Sequence, residues 1–317
     1  MQKRWKWWGG LLLSLTLLLA GCGAAKTADN AAASASSSAQ GSAKATTQTS
    51  VPQGTISIKI LDVGQGDAIL IQTQEQTVLI DTSDVDERDK LRAQLAKAGV
   101  KKIDKVILTH PHADHIGGME VLLDGSYEIG SIYDNGMPST SKLYLSYMKK
   151  AKARGIPHQA LKAGDALDFG GGAQFKVLSP EESLVQKGQQ KGYKHDPNNE
   201  SVVGRLTFGQ FAMLFTGDAE KETEASIAAR YGSELKSQVL KAPHHGSKTS
   251  SSAAYLRLVQ PETCVISCGA GNDYGHPHKE TLKKYAAIHA KTYETDKNGT
   301  ITITSDGKSY EVKEEKS

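Results

Sequence analysis

Cysteine is scarce, with three in 317 residues. Cys264 and Cys268 sit in the strand-like run Cys-Val-Ile-Ser-Cys. Four positions along a strand separate them by roughly 13 Å, too far for a disulfide. They read as buried thiols, neither a bridge nor a metal pair. Aromatic residues are also few, at 6%. No long hydrophobic run exists: the stretch from Leu11 to Ala20 is too short for a comfortable membrane span. Neither sign of charge dominates. There are 38 basic and 35 acidic residues, for a formal net charge of +3. Lys3, Arg4 and Lys6 supply that excess within the first 21 residues, which contain no acid, so the remainder is neutral. Neutrality argues against a broad nucleic-acid-binding face, though not against a local basic groove. No repeat of solenoid type is present.

What is there begins with a leader. A basic start, the apolar run and then Leu19-Ala20-Gly21-Cys22 have the form of a secretory signal peptide over residues 1–21. Small residues before a cysteine at that place resemble a bacterial lipobox, which implies cleavage before Cys22 and a lipid anchor on it. Residues 22–54 are Ala, Ser, Thr, Gln and Gly with almost no large apolar residue. Such a stretch cannot bury enough surface to fold and reads as a flexible tether. The expected location is extracytoplasmic, anchored to the cell membrane.

Order is expected over residues 55–313. Strands are predicted at 55–61, 68–72, 76–81, 105–109, 175–178, 201–208, 211–216, 238–241, 263–267, 300–304 and 310–312. Helices are predicted at 86–98, from the histidine cluster to about 123, and at 141–154, 220–231, 252–259 and up to about 289. The polar stretch 183–194 reads as a mobile loop. Two meandering series of strands, each interleaved with helices, predict two mixed β-sheets packed face to face with helices outside, an αββα arrangement.

The densest chemistry lies in His-Pro-His-Ala-Asp-His-Ile-Gly-Gly, residues 110–118. His110, His112, Asp114 and His115 fall within six positions at the end of a strand. A helix cap needs one such residue, not four. Pro111 holds the loop extended, so His110 and His112 can point the same way. Asp114 and His115 can serve a second metal beside the first. Gly117 and Gly118 leave room for close backbone passage. Imidazole with carboxylate suits zinc, manganese or iron. Four further strand ends carry polar side chains: Asp81, Asp218, His244/His245 and His276/His278. Collected on one edge, they converge on the cluster.

The runs LDVGQGDAILI, LIDTS, THPHADHIGG, NNESVV, FTGDAE, APHHGS and GAGNDYGHPH occur in that order across the domain. With them the chain resembles the metallo-β-lactamase superfamily, and within it the soluble hydrolase domain of ComEC DNA-uptake proteins and free-standing relatives. The resemblance implies an αββα fold and a site for two divalent metal ions, zinc or manganese. His110 and His112 would bind one metal, and Asp114 and His115 the other. Asp218 would bridge them, and one of His244 or His245, with His245 preferred, would complete the second site. Asp81 and Asn199 would support the ligands from behind. Many relatives carry a third histidine for the first metal. Here that region reads HDPNNESVV, with His195 nearby and Asn198 and Asn199 aligned in its place. The first metal would then have fewer nitrogen ligands. Ser83 replaces the glycine usual after the LIDT run.

A metal-activated water would attack an ester phosphorus or carbonyl carbon, with Asp114 orienting it. His244, Ser247 and the helix start behind them would hold an anion. His276 or His278 would stabilise a phosphoryl oxygen or protonate the leaving group. The expected function is a surface-anchored metal-dependent phosphodiesterase, a nuclease acting on DNA in the ComEC-like case. A choline-phosphate esterase of wall teichoic acid is the alternative. A non-enzymatic surface binding lipoprotein with a vestigial metal site is the other class.

Overall fold

The computed structural model describes residues 52–316. The expectations for the leader, for Cys22 and for the tether up to residue 51 lie outside the described residues. Fifteen strands form two sheets among the described residues. They are β1 (Ile56–Ile60), β2 (Ile69–Gln72), β3 (Thr77–Ile80), β4 (Lys102–Ile107), β5 (Glu128–Asp134), β6 (His158–Ala160), β7 (Ala166–Gly170) and β8 (Ala173–Ser179). Then follow β9 (Val203–Phe208), β10 (Phe211–Phe215), β11 (Val239–Lys241), β12 (Thr263–Ile266), β13 (Lys291–Glu294), β14 (Ile301–Ser305) and β15 (Tyr310–Glu314). One sheet has the order β15-β14-β1-β2-β3-β4-β5-β6 and the other β13-β12-β11-β10-β9-β8-β7.

Side-chain alternation explains the layers. Ile69 and Ile71 of β2, and Val78 and Ile80 of β3, face a central core shared with Phe175, Leu206, Phe211, Met213 and Phe215 of the second sheet. Their neighbours Leu70 and Leu79 face outward, under a helix at Arg88–Lys97 that contributes Leu91 and Leu95. On the far side, Leu214, Leu240 and Cys264 meet helices at Lys221–Tyr231 and Ala253–Val259 through Ile227, Tyr255 and Leu256. Both sheets are mixed and helices cover their outer faces, as the strand and helix pattern predicts.

Several details differ from expectation. β5, β6, β7 and β13 form in addition to the predicted strands; all three residues of β6 are exposed, so it carries no apolar alternation. The stretch 183–194 is not all loop, since Glu182–Gly188 is helical. The helix expected after the histidine cluster is two short turns, Ala113–Ile116 and Met119–Leu122, separated at Gly117-Gly118. Cys264 and Cys268 are free and buried, and burial raises both thiols, Cys268 to about 12.

The topology fixes where a site can form. β3 runs parallel to β4, and β10, β11 and β12 run parallel to one another. Parallel strands bring their carboxyl ends to one edge, where loops gather. β2 is antiparallel to β3, so the loop entering β2 reaches the same edge.

Candidate metal centre

The loops gathered on that edge build the site. β4 passes through Leu108 and Thr109 into His110, which is buried. The turn carrying His112, Asp114 and His115 is gripped from behind. Asp67 N donates to the Asp114 carbonyl (3.0 Å), and Thr82 N donates to that of His115 (2.7 Å). This grip needs glycine: a Cβ on Gly118 would lie 1.9 Å from the Thr82 carbonyl oxygen, and one on Gly66 2.5 Å from that of Asp114. β10 delivers Asp218 after Gly217. β11 delivers His244 and His245, both in the left-handed region at φ 50° and 52°. Two successive non-glycine residues there are strained backbone, a pattern concentrated at functional sites.

Asp218 is the centre. The Nε2 atoms of His115 and His245 lie 3.2 and 3.5 Å from its Oδ1. Those of His110 and His244 lie 3.8 and 3.7 Å from its Oδ2. Asp114 Oδ2 stands 3.3 Å from His245 Nε2 and 3.8 Å from His115 Nε2. His112 Nδ1 is 3.0 Å from His110 Nε2. The side chains therefore sort into two groups about one carboxylate: Asp114, His115 and His245 at Oδ1, with His110, His112 and His244 at Oδ2.

Each imidazole around Asp218 is oriented from its other nitrogen. His115 Nδ1 donates to Asp81 Oδ2 at 2.8 Å, and His245 Nδ1 to the Ser267 carbonyl at 3.0 Å. His110 Nδ1 lies 3.1 Å from Thr109 Oγ1, and His244 Nδ1 3.1 Å from Glu220 Oε1. Asp81 also accepts from Thr109 N and Oγ1, both at 2.8 Å. An outward Nδ1 partner leaves Nε2 to face the centre, the tautomer a metal ligand requires.

The electrostatics are those of clustered buried carboxylates. Burial opposes charge on His115, but Asp218, Asp81 and Asp114 outweigh it and raise its pKa well above the ordinary value. Burial likewise opposes charge on His245, and Asp218 and Asp114 overcome it and raise its pKa. Burial works against ionised Asp218 and Asp114 too, yet the facing imidazoles hold both well below the usual carboxylate range. His110 is pushed well down by burial and by His115. Three buried atoms aimed at the centre have no hydrogen-bond partner: His115 Nε2, Asp218 Oδ1 and His245 Nε2. Orphaned buried donors and acceptors of this kind are rare without a bound group. Asp114, His115, Asp218 and His245 bring ligand atoms within 4.8 Å of one another, as do His110, His112 and Asp218. Nitrogen and carboxylate oxygen at that spacing fit divalent cations.

Other expected residues fall elsewhere. Asn199 is turned away from the ligands. Its Oδ1 accepts from Glu220 N and Thr223 N, at 3.1 and 3.2 Å, and so serves the start of the helix Lys221–Tyr231. Asn198 faces the cavity instead, with Nδ2 donating to Glu220 Oε1 at 3.2 Å. Ser247 does not line the cavity: its hydroxyl is 2.9 Å from Thr249 Oγ1. The segment leading into the helix behind it is engaged elsewhere, because Ser251 N and Ser252 N both donate to the buried Glu224 carboxylate. His278 accepts from Lys248 N at 3.2 Å and lies outside the cavity. His276 does line it, near His245 and His244. His195 is paired with the buried Glu200.

Sequence reasoning missed a buried ion pair beneath the site. Lys241 Nζ is 2.9 Å from Asp67 Oδ2, and both side chains are almost wholly buried. Asp67 Oδ1 lies 3.7 Å from His245 Nδ1. The available signal was a lysine inside the apolar run Val239-Leu240-Lys241-Ala242. Glu220 was missed as well.

The cavity over these groups has a volume of about 330 Å³ and is lined by Gln65, His112, Asp218, His244, Tyr274 and His276, among others. A larger cleft of about 470 Å³ beside Lys59, Lys97 and Lys313 contains no histidine.

The chain is also similar to known proteins. The chain is 33% identical to ComE operon protein 3 of Bacillus subtilis (strain 168) over 265 residues, covering 77% of this chain and 32% of that protein. It is also 33% identical to Competence protein ComA of Neisseria gonorrhoeae, covering 80% of this chain and 33% of that one. It thus spans about a third of the length of these curated relatives. Among solved structures it is similar to the metallo-beta-lactamase fold protein YhfI of Bacillus subtilis, at 13% identity and a TM-score of 0.48, over 75% of this chain and 95% of that one. The sequence pattern of the metallo-beta-lactamase superfamily matches residues 61–270, from the end of β1 to the loop after β12. With two sheets flanked by helices and that match over most of the folded region, the chain belongs to the metallo-β-lactamase superfamily, whose members are generally metal-dependent hydrolases.

Proposed function

We propose that this chain is a metal-dependent phosphodiesterase that holds two divalent cations, zinc or manganese, on either side of Asp218. The observation that carries the reading is the sorting of ligand-type side chains about the two oxygens of one buried carboxylate, each oxygen 3.2–3.8 Å from two imidazole nitrogens. Asp114, His115 and His245 would hold one cation, and His110 and His112 the other. His244 stands on the same side as His110 and His112, and supplies a nitrogen where the third histidine of many relatives is absent. When bound, such cations supply Lewis acidity and a nucleophilic water near neutral pH.

The residues of the chain do the rest. Asp81, Glu220 and the Ser267 carbonyl fix the imidazole orientations. Asp114 is the acceptor that aligns the attacking water, since it is the ligand-type carboxylate partly open to the cavity. His276 faces the cavity and its pKa is drawn down, to about 4, first by burial and then by His245 and His244. It is therefore neutral at pH 7 and donates a hydrogen bond to a phosphoryl oxygen rather than a proton to the leaving group. The relatives named for competence favour a nucleic-acid substrate. Cys22 is the proposed lipid anchor, which would place the domain on the outer face of the cell membrane, with a phosphodiester of DNA or of a wall polymer as its substrate.

Purified protein supplied with manganese or zinc tests the reading on bis-p-nitrophenyl phosphate and on single-stranded DNA. Hydrolysis of both is expected. Cleavage of the small diester alone would point to a wall-polymer esterase such as a choline-phosphate esterase. No turnover with any divalent metal would leave a surface binding protein. Asp218→Asn and His112→Ala are expected to abolish turnover and lower bound metal while circular dichroism stays that of the folded domain.

A further inference from the structure

Two large apolar side chains stand exposed among the described residues, and one of them, Tyr274, is at the mouth of the metal centre. The residue is 66% exposed. Its ring lies 5.6 Å from the His276 ring with planes 20° apart. His276 in turn lies 6.2 Å from the His245 ring, again at 20°. Three near-parallel rings thus lead from a ligand-type imidazole out to solvent, within the separations at which aromatic rings attract. The last residue of the three is the most exposed.

The loop that presents Tyr274 is braced. Asn272 Nδ2 donates to the Gly269 and His276 carbonyls, at 2.9 and 2.6 Å, and Asn272 Oδ1 accepts from His276 N at 3.0 Å. Gly271 and Gly275 take left-handed φ of 68° and 71°, and so turn the chain on either side of the brace. The backbone that carries the ring is therefore ordered before anything binds, and little loop entropy is lost when its face is covered. In the same cavity, Gln65 anchors through Oε1 to Gly269 N at 3.1 Å, and its Nε2 donor is buried without a partner.

We infer that Tyr274 is a stacking platform for a nucleobase next to the scissile phosphodiester, and that the site takes single-stranded, base-bearing substrate. The inference rests on the phosphodiesterase reading and specifies its substrate class. A flat π-face accepts any base and requires it to be unpaired. A quaternary ammonium such as choline is held by a cage of several aromatic faces. Here one face is open and the ring behind it is an imidazole, so a planar base is the better match.

The test measures binding by the full chain in manganese. The probe is a fluorescein-labelled thymidine decamer with phosphorothioate links, which resists cleavage, and its abasic counterpart. Wild type is expected to prefer the base-bearing decamer. Tyr274→Ala should reduce that preference about tenfold, the scale of one stacked base, and Tyr274→Phe should keep it. Equal binding of the two decamers by wild type, including no binding of either, overturns the inference. So does an equal loss on both decamers in Tyr274→Ala, a loss in Tyr274→Phe as large as in Tyr274→Ala, or displacement of the decamer by phosphocholine as effective as by thymidine monophosphate. Turnover of bis-p-nitrophenyl phosphate is followed in parallel. Turnover without base preference defeats the stacking platform alone, whereas base preference without turnover keeps the platform and defeats the hydrolase.

Discussion

Replacing Lys241 by methionine tests whether the pair beneath the site is structural in the way its burial implies. The Lys241 and Asp67 side chains are 1% and 2% exposed, and the ammonium has a second partner in the Ala242 carbonyl at 3.1 Å. Lys241→Met keeps the length of the stem and removes the charge. It leaves the Asp67 carboxylate buried, with Asp218 close enough to oppose it. Removing one partner of a buried pair costs about 3–5 kcal/mol, because the other charge stays desolvated. For a domain of this size that corresponds to a fall in Tm of roughly 10 °C. Guanidinium denaturation of chelator-treated protein measures the loss. The double variant Lys241→Met/Asp67→Asn is expected to recover at least half of it, since no unpaired ion remains. As a comparison, Lys97→Met removes the surface pair with Glu315, where the lysine side chain is 66% exposed, and should change stability little. A loss below about 1 kcal/mol for Lys241→Met, or a double variant as unstable as the sum of the singles, would refute the charge-pair argument.

Three further outcomes follow from the same coordinates. Gly118→Ala would place a methyl group 1.9 Å from the Thr82 carbonyl oxygen, so a destabilisation of about 1–3 kcal/mol or more is expected by thermal melting, with weaker metal binding by calorimetry as the loop is displaced. Glu224→Gln replaces a carboxylate that accepts from Ser251 N and Ser252 N with an amide that presents one acceptor oxygen; a loss of about 1–3 kcal/mol in urea denaturation is expected, and no loss would show these bonds to be dispensable. In metal-free protein His115 and His245 have raised pKa values, so the stability they contribute is complete below their ordinary value of 6.5 and is lost as pH rises through the higher folded values. The rise in Tm on adding manganese or zinc should therefore be larger at pH 8 than at pH 6, and a rise independent of pH would contradict the protonation of those imidazoles.

The histidine cluster and the strand ends were legible because four ligand-type residues in six positions have no structural use in common, and because strands end at recognisable turns. The two-sheet fold was legible from the alternation in β1, β2, β3, β9 and β10. What was not legible shares one cause: loops have no period, so the sequence does not reveal which loop residues face inward. Asn199, Ser247 and His278 lie in the loops of that edge, yet each is claimed by a local backbone or side-chain need. Asn198, Tyr274 and Glu220 occupy neighbouring positions and face the site or a ligand. Lys241 and Asp67 were hidden differently. A charged residue is read as exposed unless its partner is known, and here the partner comes from the other sheet, 174 positions away. The strands β6 and β13 begin with exposed residues at sheet margins, where burial leaves little pattern to read.

Charge balance links that pair to the chemistry. Five carboxylates, Asp67, Asp81, Asp114, Asp218 and Glu220, crowd the site, and Lys241 is the ammonium paired among them. With every imidazole neutral, four negative charges remain in a region that is mostly shielded from water. Such a site repels a phosphodiester anion. One divalent cation leaves it still negative, and two bring it to neutrality. Without Lys241 the same two cations would leave it negative by a single charge. On this reading the buried lysine removes the residual negative charge that would repel an anionic substrate from a doubly loaded centre, and it does so from beneath the site, where it does not compete with the cations for ligands.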